Sequence, residues 1–309
     1  MTTPDLYTRR DALTAIAATC CWMPWGINTA CGQETDVNSQ PSIRLEVLTA
    51  NVRFGTAKDG DDRWELRKEL LANTWRPIDA DVVGTQEMLP FQAAYLLEQL
   101  PEYSYIGQSR DPENADGEQC GIFYRRDRLV VLDAGHFWLS ESPEVPGSKS
   151  WDTSLPRMAT WARFYDRRLR APVLVVNTHF DHIGSAARRH AAELVRRFVA
   201  ERAGHQPVVV LGDFNCGEGS APYDALLPDR AADAPLLRDA YRVTHPERKP
   251  NEGTFNGFLG KADGERIDWI LVTQDCLVEE CDIISTHEEN RYPSDHFFVR
   301  ANISFGSAR

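Results

Sequence analysis

Several short apolar runs in this chain are each bordered by a residue able to do acid–base or metal chemistry. Asn51 closes the run Leu45 to Ala50, Gln86-Glu87 follow Val82 to Thr85, Asn177-Thr178-His179 follow Val173 to Val176, and Asp213 with Asn215 follows Val208 to Leu211. Arg266-Ile267-Asp268 borders a further apolar stretch, and Tyr292-Pro293-Ser294-Asp295-His296-Phe297 sets a carboxylate beside an imidazole. One Asp or Asn after a strand is ordinarily a turn or helix-cap residue. The same placement repeated with Asn, Glu, His and Asp is explained more simply by a shared site. Glu87, Asp213, Asp268 and Asp295 drawn together would repel one another, and a hard divalent cation held by oxygen ligands removes that cost. The predicted chemistry is metal-assisted hydrolysis.

The apolar runs read as buried strands that deliver these residues to one rim of a sheet. Asp62 and Glu65 form a capping pattern for a helix from about Arg63 to Trp75, with Pro77 as its terminator. Phe91 to Leu100 reads as a short amphipathic helix, and Gly121 to Tyr124 with Leu129 to Leu132 as a strand pair. Ser185 is placed to cap a helix reaching about Ala203, with Ala187, Ala191, Leu194, Val195, Phe198 and Val199 on the buried face. Its arginines lie mostly opposite, with Arg188 near the helix start within reach of the site. Ser140 to Arg157 is a long connection near the rim, where Trp151 either stacks on a base or sugar or anchors the loop. The same two alternatives hold for Phe255, whereas Trp269, inside an apolar strand, reads as core.

These clusters, together with Trp64-Glu65-Leu66-Arg67, Gly84-Thr85-Gln86-Glu87, Phe137-Trp138-Leu139-Ser140, Thr160-Trp161-Ala162-Arg163-Phe164 and Gly253-Thr254-Phe255, resemble the endonuclease/exonuclease/phosphatase superfamily of DNase I-like phosphoesterases, in an exported bacterial branch. The resemblance covers residues 43 to 304. It implies an α/β fold, a four-layer α/β sandwich in which two mixed β-sheets pack face to face with helices outside, and an active site at one edge.

On that resemblance the expected cofactor is Mg²⁺ or Mn²⁺, with Glu87 as the direct ligand and Asn51 and Asp295 in support. Water is the expected nucleophile. Asp213 would orient and deprotonate it, Asn215 and His179 would hold phosphoryl oxygens, and His296 would pair with Asp268, which fixes its tautomer and favours its charged form. Several nucleases of the superfamily carry a second acidic residue two positions after the first-strand Asn, where this chain has Arg53. That cation is either a substrate phosphate contact or half of a structural ion pair. Asp181 and His182 are either site wall or turn residues.

The whole chain carries a net charge of −12, and residues 1 to 32 contribute two acidic and two basic groups, so the remainder keeps that charge. Such a balance repels polyanions at long range and favours a compact phosphate ester over a nucleic acid. A secreted or periplasmic nuclease is the alternative, and a catalytically silent binding protein a remote one. Arg9-Arg10, the apolar Ala12 to Ile27 and small residues at 29 to 32 predict a twin-arginine export signal over 1–32, with a linker over 33–42 and a catalytic domain over 43–304. Cys31 as a lipidation site fits poorly because Asn28 precedes it. Export to the periplasm or outside, a monomer, and no transmembrane segment in the mature chain are expected. The seven cysteines include no CxxC pair, which argues against structural zinc, and those of the body are expected to be separate buried thiols rather than a Cys276–Cys281 bridge.

Overall fold

The computed structural model describes residues 43–228 and 237–305. The predicted leader, linker and Cys31 lie outside the described residues.

In chain order the elements are β1 (Ile43–Asn51), a 3₁₀ turn (Gly60–Asp62), α1 (Trp64–Ile78), β2 (Val82–Met88), α2 (Pro90–Gln99), β3 (Tyr103–Ile106), β4 (Gln119–Arg125), β5 (Leu129–Trp138), β6 (Met158–Asp166) and β7 (Ala171–His179). They continue with α3 (Ser185–Ala203), β8 (Val208–Asp213), α4 (Ala221–Leu226), β9 (Leu237–Asp239), α5 (Ala240–Thr244), β10 (Asp268–Thr273), β11 (Cys276–Ile284) and β12 (Phe298–Phe305). One six-stranded sheet runs β11-β12-β1-β2-β4-β3 and the other β5-β6-β7-β8-β10-β9. Each contains one parallel pair, β1 with β2 and β7 with β8, joined by α1 and α3 respectively. The sheets are mixed and α1 to α4 lie on their outer faces, while α5 packs Ala240 and Tyr241 into the core between them, which is the expected α/β sandwich.

Strand periodicity explains the layers. Leu45 and Val47, Val173 and Val175, Val209 and Leu211, and Ile270 and Val272 fill the core between the sheets. Their alternates point outward. Leu48, Ala50 and Val83 meet Leu71 and Trp75 of α1, whereas Leu174, Val176, Val208 and Val210 meet Ala191, Val195 and Val199 of α3. Both faces are apolar because both are covered. At Gly84 the sheets approach so closely that a Cβ would fall 1.7 Å from Leu211 Cδ1 and 2.8 Å from Asn177 Oδ1.

Four local expectations are corrected. β4 and β5 do not pair; β4 lies between β2 and β3, while β5 pairs with β6 in the other sheet. The chain crosses between sheets there because Arg128, buried, donates to Asp81 at the start of β2 (2.6 Å) and to Asp166 at the end of β6 (2.7 and 2.9 Å). Asp62 ends the 3₁₀ turn and makes no side-chain cap, and α1 continues through Pro77 to Ile78, closing on Asp79 with φ 50°. Ser185 is the first residue of α3; Asp152, from the 139–157 loop, accepts from Ala186 N (3.2 Å) and Ala187 N (2.7 Å) in its place. The expected core position of Trp269 holds, and Cys120, Cys216, Cys276 and Cys281 are buried and free. Among the described residues no helix is long and apolar enough to cross a membrane.

Removing one member of a buried ion pair strands the other, so Arg128→Met should cost about 3–5 kcal/mol. Urea denaturation of the two proteins measures it, and a loss within experimental error would show that Arg128 does not tie the sheets.

Candidate active site

The parity that builds the inter-sheet core also carries polar residues to its rim. Continuing from Leu45 and Val47 by steps of two reaches Thr49 and Asn51; from Val209 and Leu211 it reaches Asp213. Register then aligns neighbours, with His179 opposite Asp213 on β7 and β8, and Asp268 opposite Asp213 on β10 and β8. On β2 the same parity would send Glu87 to the helix layer. A bulge between Thr85 and Met88, with Glu87 at φ 59°, turns it towards the site.

Asn51 is fully buried and joins the two sheets. Its amide donates to Glu87 Oε1 at 3.2 Å and to Asp213 Oδ2 at 3.0 Å, and its Oδ1 accepts from Arg53 N at 3.0 Å. Glu87 Oε2 accepts from Phe54 N at 3.2 Å. Asp213 also accepts from Asn215 N at 2.9 Å and has His179 Nε2 at 3.4 Å and His296 Nε2 at 3.8 Å. Burial and the neighbouring Asp268 push its carboxyl up to about 7, against the opposing pull of His296. Such a value suits a general base near neutrality.

The two histidines are driven apart. Burial, followed by the charges of Arg157 and Arg110, holds His179 well below its usual range, so its contact with Asp213 is not an ion pair. For His296 burial acts in the same sense, but Asp268 and Asp213 outweigh it and raise the imidazole well above its ordinary value. Asp268 Oδ2 lies 2.9 Å from His296 Nδ1, while Asp268 Oδ1 is buried with no hydrogen-bond partner among the described residues. Asp295 has Ser294 Oγ at 3.3 Å and Arg53 Nε at 3.7 Å, and burial and Glu87 raise its carboxyl.

The expected phosphate contacts prove occupied by the protein. Arg53, at φ 55°, forms a two-pronged pair with Asp59 at 2.9 and 3.1 Å, the structural ion pair of its two alternatives. Asp181 is a turn residue; it accepts from Ser154 N and Oγ, Ile183 N and Gly184 N. His182 Nδ1 lies 2.9 Å from Arg157 Nη2, and Arg188 donates to the Asp181 carbonyl at 2.8 Å. Asn215 directs its amide to Phe180 O at 3.0 Å, which leaves one of its two N–H groups uncommitted by that bond. Trp151 stacks on His190 at 4.7 Å and so anchors its loop to α3, whereas Phe255, half exposed, packs edge-on to His296 at 5.3 Å.

At this rim Glu118 and Arg157 had no motif to announce them, whereas Arg67 and Thr254 belong to stretches that the resemblance already singled out. Glu118 brings a carboxylate to Glu87 and His179, with ligand atoms within 4.8 Å of one another, and pairs with Arg110 at 2.6 Å. Glu118 and Arg157 each stand just ahead of a strand, β4 and β6, as Asp268 opens β10; a charge abutting an apolar run was the available signal. Arg67 is buried and donates to the carbonyls of Val52 (2.8 Å), Arg53 (2.8 Å) and Pro293 (2.9 Å), which fixes the backbones beside Asn51 and Asp295. Thr254 Oγ1 accepts from Ile267 N and Asp268 N, and Asn256 N donates to Asp295 O, so the Gly253-Thr254-Phe255 stretch knits both acidic segments together.

A divalent metal fits the Glu87 side. Hard oxygens from Glu87 and Glu118, with neutral His179 beside them, form a negative pair a cation would neutralise. Asp213, Asp268 and His296 also lie within 4.8 Å, but a protonated imidazole already compensates that group and cannot ligate.

The model of the Endonuclease/Exonuclease/phosphatase family matches residues 48–296. This chain belongs to that family. Members are divalent-metal-dependent phosphoesterases and nucleases. A family structure from Bacteroides vulgatus is 35% identical with a TM-score of 0.78, covering 86% of this chain and 100% of that one. A mannosyl-6-phosphatase from Bacteroides thetaiotaomicron is 34% identical with a TM-score of 0.75, covering 84% and 100%. Nocturnin of Drosophila melanogaster is 25% identical over 282 residues, 76% of this chain and 41% of that protein, so the chain spans less than half of that relative.

Because Asp268 supplies the largest upward pull on His296, Asp268→Asn should release the ring. Nitrogen-15 NMR of the imidazole at neutral pH should show a charged ring in the parent and a neutral one in the variant. A ring neutral in both would overturn the assignment.

Proposed function

We propose that this protein hydrolyses a compact phosphate ester by attack of water, using Mg²⁺ or Mn²⁺. The observation that carries this is Asp213, a buried carboxyl raised to about 7 and held between Asn51, His179 and His296. Burial pushes the Cys120 thiol, on the same rim, up to about 12, so water rather than a thiolate is the nucleophile. Asp213 accepts the water proton, and Asn51 fixes the carboxylate that does so. Charged His296, held by Asp268, donates towards the phosphoryl group, and neutral His179 and the free N–H of Asn215 donate to its remaining oxygens. Bound through Glu87, with Glu118, Asn51 and Asp295 around it, a divalent ion supplies charge neutralisation for the phosphoryl oxygens.

Compactness of the substrate is supported by the −12 charge and by the mannosyl-6-phosphatase among the structural relatives. The nuclease alternative is kept by the family's membership. Export through residues 1–32 as a monomer belongs to the same proposal, and N-terminal sequencing with light scattering of secreted protein tests it.

Hydrolysis should cease in EDTA and return with Mg²⁺ or Mn²⁺; full activity in chelator would sink the metal role. Asp213→Asn and His296→Ala should each lower kcat by about 10² or more with the fold intact, as removal of a positioned acid–base group does. Turnover of a small ester should vary little with salt. If nucleic acid is cut far faster than every small ester, with affinity collapsing between about 50 and 200 mM salt, the nuclease alternative holds.

A further inference from the structure

Arg157, the residue before β6, is only 4% exposed at its side chain. Its Nε lies 3.4 Å from Asp181 Oδ1 and its Nη2 2.9 Å from His182 Nδ1, while its Nη1 is buried and without a partner among the described residues. Asp181 is a weak claimant on that guanidinium, since four shorter hydrogen bonds from Ser154, Ile183 and Gly184 already satisfy it. Buried donors rarely go unpaired unless a ligand or water completes them.

The charge of Arg157 bears on His179, Arg110, Glu118 and Cys120, which places it on the His179 and Glu118 flank of the site, where neither arginine has a role above. Arg110 lies on the same flank, its side chain 13% exposed, and its carbonyl accepts from Trp138 Nε1 at 2.7 Å. Cys120, Trp138 and Met158 pack into an apolar cluster at this corner. Low polarity there strengthens any charge-assisted hydrogen bond. Against the two guanidinium groups stands Glu118, which is also claimed by Glu87's side of the site.

A phosphomonoester carries up to two negative charges and three non-bridging oxygens; a phosphodiester carries one charge and two such oxygens. An alkyl group directed at Arg157 would leave buried donors unpaired, which is the strongest kind of discrimination a polar pocket achieves. We propose that Arg157, supported by Arg110, binds a non-bridging oxygen of a terminal phosphate and makes this protein a phosphomonoesterase. The inference rests on the phosphoesterase function proposed above. In the step it serves, a water oxygen bonds to phosphorus as the ester P–O bond breaks. One water proton goes to Asp213 and the other stays on the new phosphate; the leaving oxygen takes a proton from solvent and Asp213 returns its own to solvent, giving an alcohol and inorganic phosphate.

The Mg²⁺-loaded protein should bind inorganic phosphate more than about tenfold tighter than dimethyl phosphate by calorimetry, the value of one charged hydrogen bond. It should also hydrolyse p-nitrophenyl phosphate in preference to bis(p-nitrophenyl) phosphate. Arg157→Gln should lower kcat/KM for the monoester about 10²-fold, as loss of one oxyanion donor does, with the diester changed less than about threefold. Arg157→Lys should recover part of the monoester rate. Equal losses on both esters, or equal binding of the two phosphates to the parent protein, would overturn the proposal. The parent comparison decides even if the variants fail to fold. A parent enzyme that prefers the diester sinks this inference alone, whereas one that cleaves neither ester with Mg²⁺ or Mn²⁺ sinks the phosphoesterase function beneath it.

Discussion

A single neutral amide stands where the two sheets would otherwise bring like charges together. Asn51 donates to Glu87, from its own sheet, and to Asp213, from the other, while its oxygen accepts from Arg53 N. A half-buried carboxylate and a fully buried one brought to the same amide repel where water is largely excluded. An amide offers each a hydrogen bond without adding a charge of its own, so the carboxylates stay available to a cation and a water. A lysine there would offset one of the two charges and compete with a cation, and an apolar residue would remove one hydrogen bond from each carboxylate. Asn51 must therefore be held to a fraction of an ångström, and much of the surrounding structure does that.

Ser294 and Arg67 hold it. Ser294 Oγ donates to the Asn51 carbonyl at 2.7 Å, and Arg67 gathers the next two carbonyls with that of Pro293. Behind the site, Gln86 donates to Asn177 Oδ1 at 2.7 Å, and Asn177 donates to Thr85 O and Gly121 O at 2.8 Å each. This polar pair crosses between the sheets in an otherwise apolar layer, so a slip of either sheet would break several buried bonds at once. Gly84 permits the approach that makes the crossing short. At the far rim Arg128 performs the same service with Asp81 and Asp166.

The rim itself was legible because strand parity is a local property. Asn51, His179, Asp213 and Asp268 follow apolar alternation, and sequence shows where alternation meets a polar residue. Glu87 was found as a residue, but its direction depends on a bulge that no pattern around Thr85 to Met88 specifies. Asp181 and His182 were left between wall and turn; for Asp181 the Ser154 contacts that make it a turn residue come from 27 positions away in sequence. Arg53 was similarly decided by Asp59, six residues on, through a turn that requires φ 55°. Glu118, Arg110 and Arg157 come from strand starts and a loop, and only tertiary packing makes them neighbours. The pairing of β4 with β5 was expected from closeness in sequence, and a buried Arg at the turn is what sends the chain to the other sheet.

The two imidazoles show how one pocket sustains opposite states. Both are almost fully buried and both face Asp213, so burial and that carboxylate cannot distinguish them. The difference lies behind them: Asp268 stands at 2.9 Å from His296, whereas Arg157 and Arg110 lie towards His179. A charged donor on one side and a neutral ring on the other make the surroundings of Asp213 electrostatically asymmetric. Asp213 lies between them, and burial and Asp268 raise its carboxyl to about 7 against the opposing pull of His296. A carboxyl so balanced can take a proton from water and surrender it again without either step becoming prohibitively uphill.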